Sequence, residues 1–80
     1  MRLDKYLKVS RIIKRRTIAN EACDAGRVIV NGKPARASYE VKTGDVLEVS
    51  LGAKALKVRV ALIKEHTKKE EADMFYEIIA

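Results

Sequence analysis

Residues 2–16, R-L-D-K-Y-L-K-V-S-R-I-I-K-R-R, set a helical apolar pattern inside a dense run of cations. Seven of the fifteen are basic (Arg2, Lys5, Lys8, Arg11, Lys14, Arg15, Arg16) and one, Asp4, is acidic. Leu3, Tyr6 and Leu7 recur at i, i+3 and i+4, the spacing of one helix face. At about 100° per residue those three occupy a narrow arc, and Arg2, Lys5 and Lys8 fall roughly opposite. The spacing predicts a helix over 3–9 that buries one side and presents a row of cations on the other. A surface of that kind calls for a partner with many negative charges.

The first helix is expected to stop near Ser10, with 11–15 as a basic connection. Asp4 complements the helix dipole in the first turn and can pair with Lys8 four residues on. Turned outward it would repel phosphate, so its expected work is to orient a neighbouring cation or support the helix start. A second helix is predicted over 16–25, with Ile18, Ala19, Ala22, Cys23 and Ala25 on one side and small residues allowing close approach to the first. Gly26 stands where a left-handed helix end is wanted. Arg16 and Asn20 are one turn apart at the rim of the apolar face. If the helices pack as a pair, both come beside the first helix's basic row.

Downstream the pattern changes to strands. Val28-Ile29-Val30 followed by Asn31-Gly32 is a hairpin signal, because a type I′ turn needs positive φ at both central residues. Pro34 limits the return strand to an edge or a short piece. Residues 37–43 form a connection anchored by Tyr39 and Val41, and 43–45 form a turn. Strands are predicted over 46–50 and 57–62, the latter with Val58, Val60 and Leu62 alternating, and a turn over 52–54. Thr67 and Glu70 have the spacing of a capping box, and Ala72, Phe75, Tyr76 and Ile79 follow at helical intervals. A short C-terminal helix from about residue 68 is expected. The fold class is therefore α+β: two N-terminal helices packed on a small, bent, mainly antiparallel sheet, with a short helix at the end.

Eighty residues suit a single domain, 1–80, with a modest core. Aliphatic packing must hold it, since the aromatics are only Tyr6, Tyr39, Phe75 and Tyr76. The net charge is +6 and lies wholly in the first half. Residues 1–40 carry ten basic and four acidic groups, whereas 41–80 carry seven of each. A one-sided basic field steers a protein toward polyanions. The lone Cys23 allows no internal disulfide and suits a reducing compartment. Neither a secretory leader nor a membrane-spanning run is expected, so the chain reads as cytoplasmic, without a membrane partner, and as a monomer.

R-L-D-K-Y-L at 2–7, a helix closed by Ala25-Gly26, R-V-I-V-N-G at 27–32 and T-G-D-V at 43–46 occur in an order that resembles the small RNA-binding domain named after small-subunit ribosomal protein S-four, the αL motif. The resemblance covers about 2–50 and leaves 51–80 as an extension. It is nearest to stand-alone members related to the fifteen-kilodalton heat-shock protein, and among them to a short Gram-positive branch serving ribosome-associated quality control. The resemblance implies that the helix pair forms the RNA-contacting face. It implies as partners the rRNA of the large ribosomal subunit, a peptidyl-tRNA blocking that subunit, and other quality-control factors. In one respect the chain departs from the family: Arg15 stands where many members have a Ser or Thr that caps the second helix. The cap is then lost or moved to Thr17, and the rim gains a guanidinium.

Arg grips phosphate in planar, bidentate fashion, whereas Lys is a mobile point charge. Arg2 and Arg16 therefore rank first as RNA contacts, followed by Arg11, Arg15, Lys5, Lys8 and Lys14. Asn20 can hydrogen-bond a base or a 2′-hydroxyl, and Arg27, Lys33 and Arg36 would extend the patch along the hairpin. Tyr6 reads as core, so recognition would rest on RNA shape and backbone.

No catalytic constellation is expected. His66 reads as a surface histidine, Cys23 as a buried thiol, and no metal-ligand cluster or phosphate loop is present, so neither cofactor nor metal is expected. Two other readings are a general rRNA or tRNA chaperone and a DNA-binding helix-turn-helix protein. Glu21 and Asp24 on the exposed side of the second helix weigh against a helix that enters a major groove.

Overall fold

The computed structural model describes residues 1–65 and 68–79; the expected cap Thr67 and surface histidine His66 lie outside them. The first helix, α1, spans Leu3–Val9, as its apolar spacing predicts, and buries Leu3, Tyr6 and Leu7 completely. Ser10 closes it, buried, with its Oγ donating to the Leu7 carbonyl at 3.3 Å. Arg11 then takes a positive φ of 64° and turns the chain toward the second helix.

That helix, α2, spans Arg16–Asp24. Arg15 occupies the N-cap without a side-chain cap bond, so the hydroxyl cap is lost rather than moved to Thr17. At the other end Gly26 N–H donates to the Cys23 carbonyl and Arg27 N–H to the Ala22 carbonyl. With φ +78° at Gly26 this is the complete Schellman arrangement. Only Ala19 and Cys23, four apart, are fully buried, while Ala22 packs at the margin. Ala25 and Ile18 are exposed, Ile18 by 50%. The apolar face of α2 is therefore narrower than the wheel suggests, because a single row of small residues makes the contact.

Among the described residues five strands follow in one antiparallel sheet, in the order β2-β1-β3-β4-β5. Val28–Val30 (β1) and Lys33–Pro34 (β2) form the expected hairpin, with φ +51° at Asn31 and +86° at Gly32. Val46–Leu51 (β3) lies on the other side of β1, and Lys54–Val60 (β4) pairs with β3 through a two-residue turn led by Gly52. That turn is tighter than the three residues expected, so β4 starts at Lys54 and ends at Val60. Val28, Val30, Leu47, Val49, Val58 and Val60 share one face of the sheet and are all buried.

The C-terminal segment begins as expected and ends differently. Lys69–Phe75 is a short 3₁₀ helix, but Tyr76–Ile78 is a strand, β5, paired with β4. Tyr76 and Ile79 thus do not continue a helical ridge. The open edge of β4 takes up their backbone, and Ile79 N–H donates to the Lys57 carbonyl at 2.8 Å. The capping role also moves by one residue. Lys68 is the N-cap, and Glu71 Oε1 accepts from its N–H at 3.3 Å. Phe75, fully buried, joins this segment to α1: its ring lies 6.2 Å from that of Tyr6, whose hydroxyl donates to the Phe75 carbonyl at 2.7 Å.

Candidate nucleic-acid interface

Asp4 organises the site. Its carboxylate, 3% exposed, lies under the crossing of the two helices. Oδ1 accepts from Lys5 N–H at 2.8 Å and from Arg2 Nε at 3.2 Å. Oδ2 accepts from Arg16 Nε at 3.3 Å and from Asn20 Nδ2 at 3.2 Å. Four donors from both helices converge on one anion. Burial alone would raise its pKa, but the bonds from Asn20 and Arg16, the Arg16 charge and the Lys5 amide outweigh that and hold it below the ordinary 3.8. The expected partner Lys8 is exposed and takes no part, because Asp4 faces inward beneath α2 rather than along its own helix.

This arrangement brings Arg2, Arg16 and Asn20 onto one wall. Each guanidinium gives Asp4 only its Nε edge, and the two side chains stay about half exposed, at 50% and 49%. Four of the five N–H donors of each arginine lie on its terminal nitrogens. Among the described residues no carboxylate pairs with them. One anion holding two cations leaves a local net charge of +1. The pairing gives up some charge and gains orientation.

The other candidates fall into three groups. Lys8, Arg11, Lys14 and Arg15 are exposed along the end of α1 and the connection to α2. Lys5 Nζ pairs with Glu65, so its charge is partly compensated. Arg27 stands apart: it follows the C-terminal end of α2, and nine helical residues, about 13 Å, separate that end from Arg16.

Lys33 and Arg36 line a groove of about 630 Å³ with Val30, Asn31, Pro34 and Tyr39. The groove abuts the α1 end of the wall. Leu3 N–H donates to the Tyr39 carbonyl at 2.8 Å, Asp4 N–H to the Ala37 carbonyl at 3.2 Å, and the Arg2 backbone pairs with that of Glu40 in an isolated antiparallel β-bridge. A second buried carboxylate, Asp45, fixes that region by accepting from Asn31 Nδ2 (3.0 Å), Tyr39 Oη (2.9 Å) and Lys42 N–H (2.9 Å). Burial works to raise its pKa, but these bonds prevail and lower it.

Sequence reasoning missed this second network, although Asn31 and Asp45 both lie within the motifs it quoted. It also missed the exposure of Ile18 among the cations. Asp24, read as part of an outward acidic face, has its Oδ1 bonded to Ala37 N–H at 3.1 Å and so ties α2 to the groove. Cys23 is buried, and desolvation pushes its thiol up to about 11, which leaves it unreactive at neutral pH.

Two short helices that pool guanidinium and ammonium groups on one side of a small antiparallel sheet make a module for gripping a polyanion. The S4 domain model matches residues 1–47, and the chain belongs to that family. It is 56% identical over 80 residues to the RQC P-site tRNA stabilizing factor of Streptococcus pneumoniae, covering all of this chain and 91% of that one. Over 79 residues it is equally similar, 56%, to the protein of the same name from Bacillus subtilis, covering 99% and 92%. A heat shock protein 15 homolog of Aeromonas salmonicida is 32% identical over 78 residues, 96% of this chain and 59% of that one. Among solved structures, the heat shock protein 15 of Vibrio cholerae, described as trimeric, superposes with a TM-score of 0.93 at 28% identity, covering 100% of this chain and 82% of that one.

Proposed function

We propose that this chain is a non-enzymatic RNA-binding protein of ribosome-associated quality control. It acts in the cytoplasm as one unit, binding the rRNA of the large ribosomal subunit together with the peptidyl-tRNA of a stalled chain. The observation that carries this reading is the wall built on Asp4, where Arg2 and Arg16 are held on one carboxylate through Nε with both side chains half exposed. The relatives named as stabilizing factors for a P-site tRNA support the cellular setting. Lys8, Arg11, Lys14 and Arg15 extend the contact, Asn20 supplies a polar group for a base or ribose, and Lys33 and Arg36 receive the backbone where it passes the hairpin. Lys5 and Arg27 contribute less, the first through its ion pair and the second through its position.

Sucrose-gradient sedimentation of lysate tests the partner: the protein should travel with large subunits. Arg2→Ala and Arg16→Ala should each reduce that co-migration while leaving the circular dichroism spectrum unchanged. In filter binding to rRNA fragments, each substitution should make the log–log salt slope shallower by about 0.7 to 0.9, as one phosphate contact is lost. Unchanged slopes in both variants would exclude this face. Binding to free tRNA without subunit co-migration would favour a general RNA chaperone.

A further inference from the structure

The two edges of the sheet are finished differently. The outer strand at one end is β2, two residues long and made of Lys33 and Pro34. A lysine and a proline are what proteins use to keep a sheet edge from pairing further. At the other end β5 carries neither. Register fixes which of its backbone groups point outward. Ile79 N–H donates to Lys57, and Ala61 N–H to the Phe75 carbonyl, so the odd-numbered residues of this segment bond to β4. In an antiparallel ladder the alternate residues, Tyr76 and Ile78, then aim their N–H and C=O away from the sheet.

The side chains around this edge are apolar and exposed. Met74 is 63%, Ile78 67% and Ile79 42% exposed. These are three of the five exposed large hydrophobics among the described residues, gathered within six positions. Within residues 70–79 the charge has one sign, Glu70, Glu71, Asp73 and Glu77 with no lysine or arginine, and Lys64 answers Glu71 at 3.5 Å. Glu77 is partly answered by Arg59 across the strand at 3.5 Å, whereas Glu70 and Asp73 are exposed and have no ion-pair partner among the described residues.

We propose that the outer edge of β5 is a docking strand for an extended, basic segment of a partner protein. That segment adds as a sixth strand, bonding to Tyr76 and Ile78, setting apolar side chains on Ile78 and Met74, and placing its cations near Glu70 and Asp73. β-Strand addition draws affinity from the main chain and specificity from alternate side chains, and this edge offers both. A second copy of this chain fits poorly, because joining two β5 edges brings two acidic clusters together. The surface lies at the far end of the sheet from the hairpin groove, so it is independent of the RNA reading.

The test is a titration of the ¹⁵N-labelled full chain, without RNA, with a ten-residue peptide alternating valine and lysine. Amide shifts should be confined to 70–79, and exchange of the Ile78 N–H should slow at least tenfold at saturation. Glu70→Lys combined with Asp73→Lys should weaken the peptide at least fivefold. Ile78→Pro, which removes only an outward donor, should abolish binding; if that variant fails to fold, the charge-reversed pair still decides. Equal binding of a valine–glutamate peptide would overturn the proposal. So would shifts centred elsewhere, or β5 resonances that change on dilution without peptide, which would mean self-association.

Discussion

Protonating Asp4 removes the one acceptor shared by Arg2, Arg16 and Asn20, so the cationic wall should have an acid limit. The carboxyl titrates below 3.8 in the folded chain, hence its contribution is fully present above that value and drains away as pH falls through the lower, folded one. Asp45 is lowered in the same direction and adds to the same acid-side loss. Urea denaturation should therefore show lower stability at about pH 3 than at about pH 7. Asp4→Asn should cost about 1–3 kcal/mol at pH 7, because two guanidinium groups and the Asn20 amide lose their shared buried anion. The fall between the two pH values should then be smaller, since one of the two responsible groups is gone. If the variant keeps the whole pH dependence, Asp4 is not a source of it. At this scale the sequence was partly legible. The four-residue spacing of Arg16 and Asn20 put both on one rim, and inward duty for Asp4 was anticipated. Its partners were not, because contacts twelve and sixteen residues away depend on how the helices cross.

α2 carries Arg16 at its first turn and a glycine lock just past its last, and the two ends can be tested separately. At Gly26 a Cβ would meet nothing within 4 Å, so Gly26→Ala pays only for φ +78°. That is roughly 1–2 kcal/mol for an L-residue in the left-handed region. The loss should appear as a lower denaturation midpoint with rRNA affinity unchanged, because the Asp4 cluster sits at the opposite end of the helix. A matching drop in affinity would mean that the wall depends on the whole length of α2. α1, α2 and the Asn31-Gly32 hairpin were legible because local rules suffice for them: apolar spacing, a C-terminal glycine and a turn that needs two positive φ values. The last element was not. Ala72, Phe75, Tyr76 and Ile79 have helical spacing, yet an unpaired edge of β4 competes for the same backbone, and pairing wins after about two turns of 3₁₀ helix. No periodicity within the segment records that competitor.

Across the whole molecule the far edge of the sheet and the first helix are joined by one aromatic contact, and this is where the fold is most exposed to a single change. Phe75 is fully buried against Tyr6 and carries a carbonyl that accepts from three donors: Tyr6 Oη, Ala61 N–H and Leu62 N–H. Removing the Tyr6 hydroxyl leaves that carbonyl satisfied by the two amides, so Tyr6→Phe should cost only about 0.5–1.5 kcal/mol. Phe75→Ala should cost about 3–5 kcal/mol, as it deletes a buried ring from a core of few aromatics. For a domain of this size each kcal/mol shifts Tm by about 4–8 °C. A fall on the order of 12–40 °C is thus expected in calorimetry, against a few degrees to about 12 °C for Tyr6→Phe. Because neither residue belongs to the cationic wall, the salt slope of rRNA binding, measured below each variant's Tm, should match the parent chain. A changed slope in Phe75→Ala below its Tm would show that the C-terminal segment sets the angle of α1, and with it the placement of Arg2.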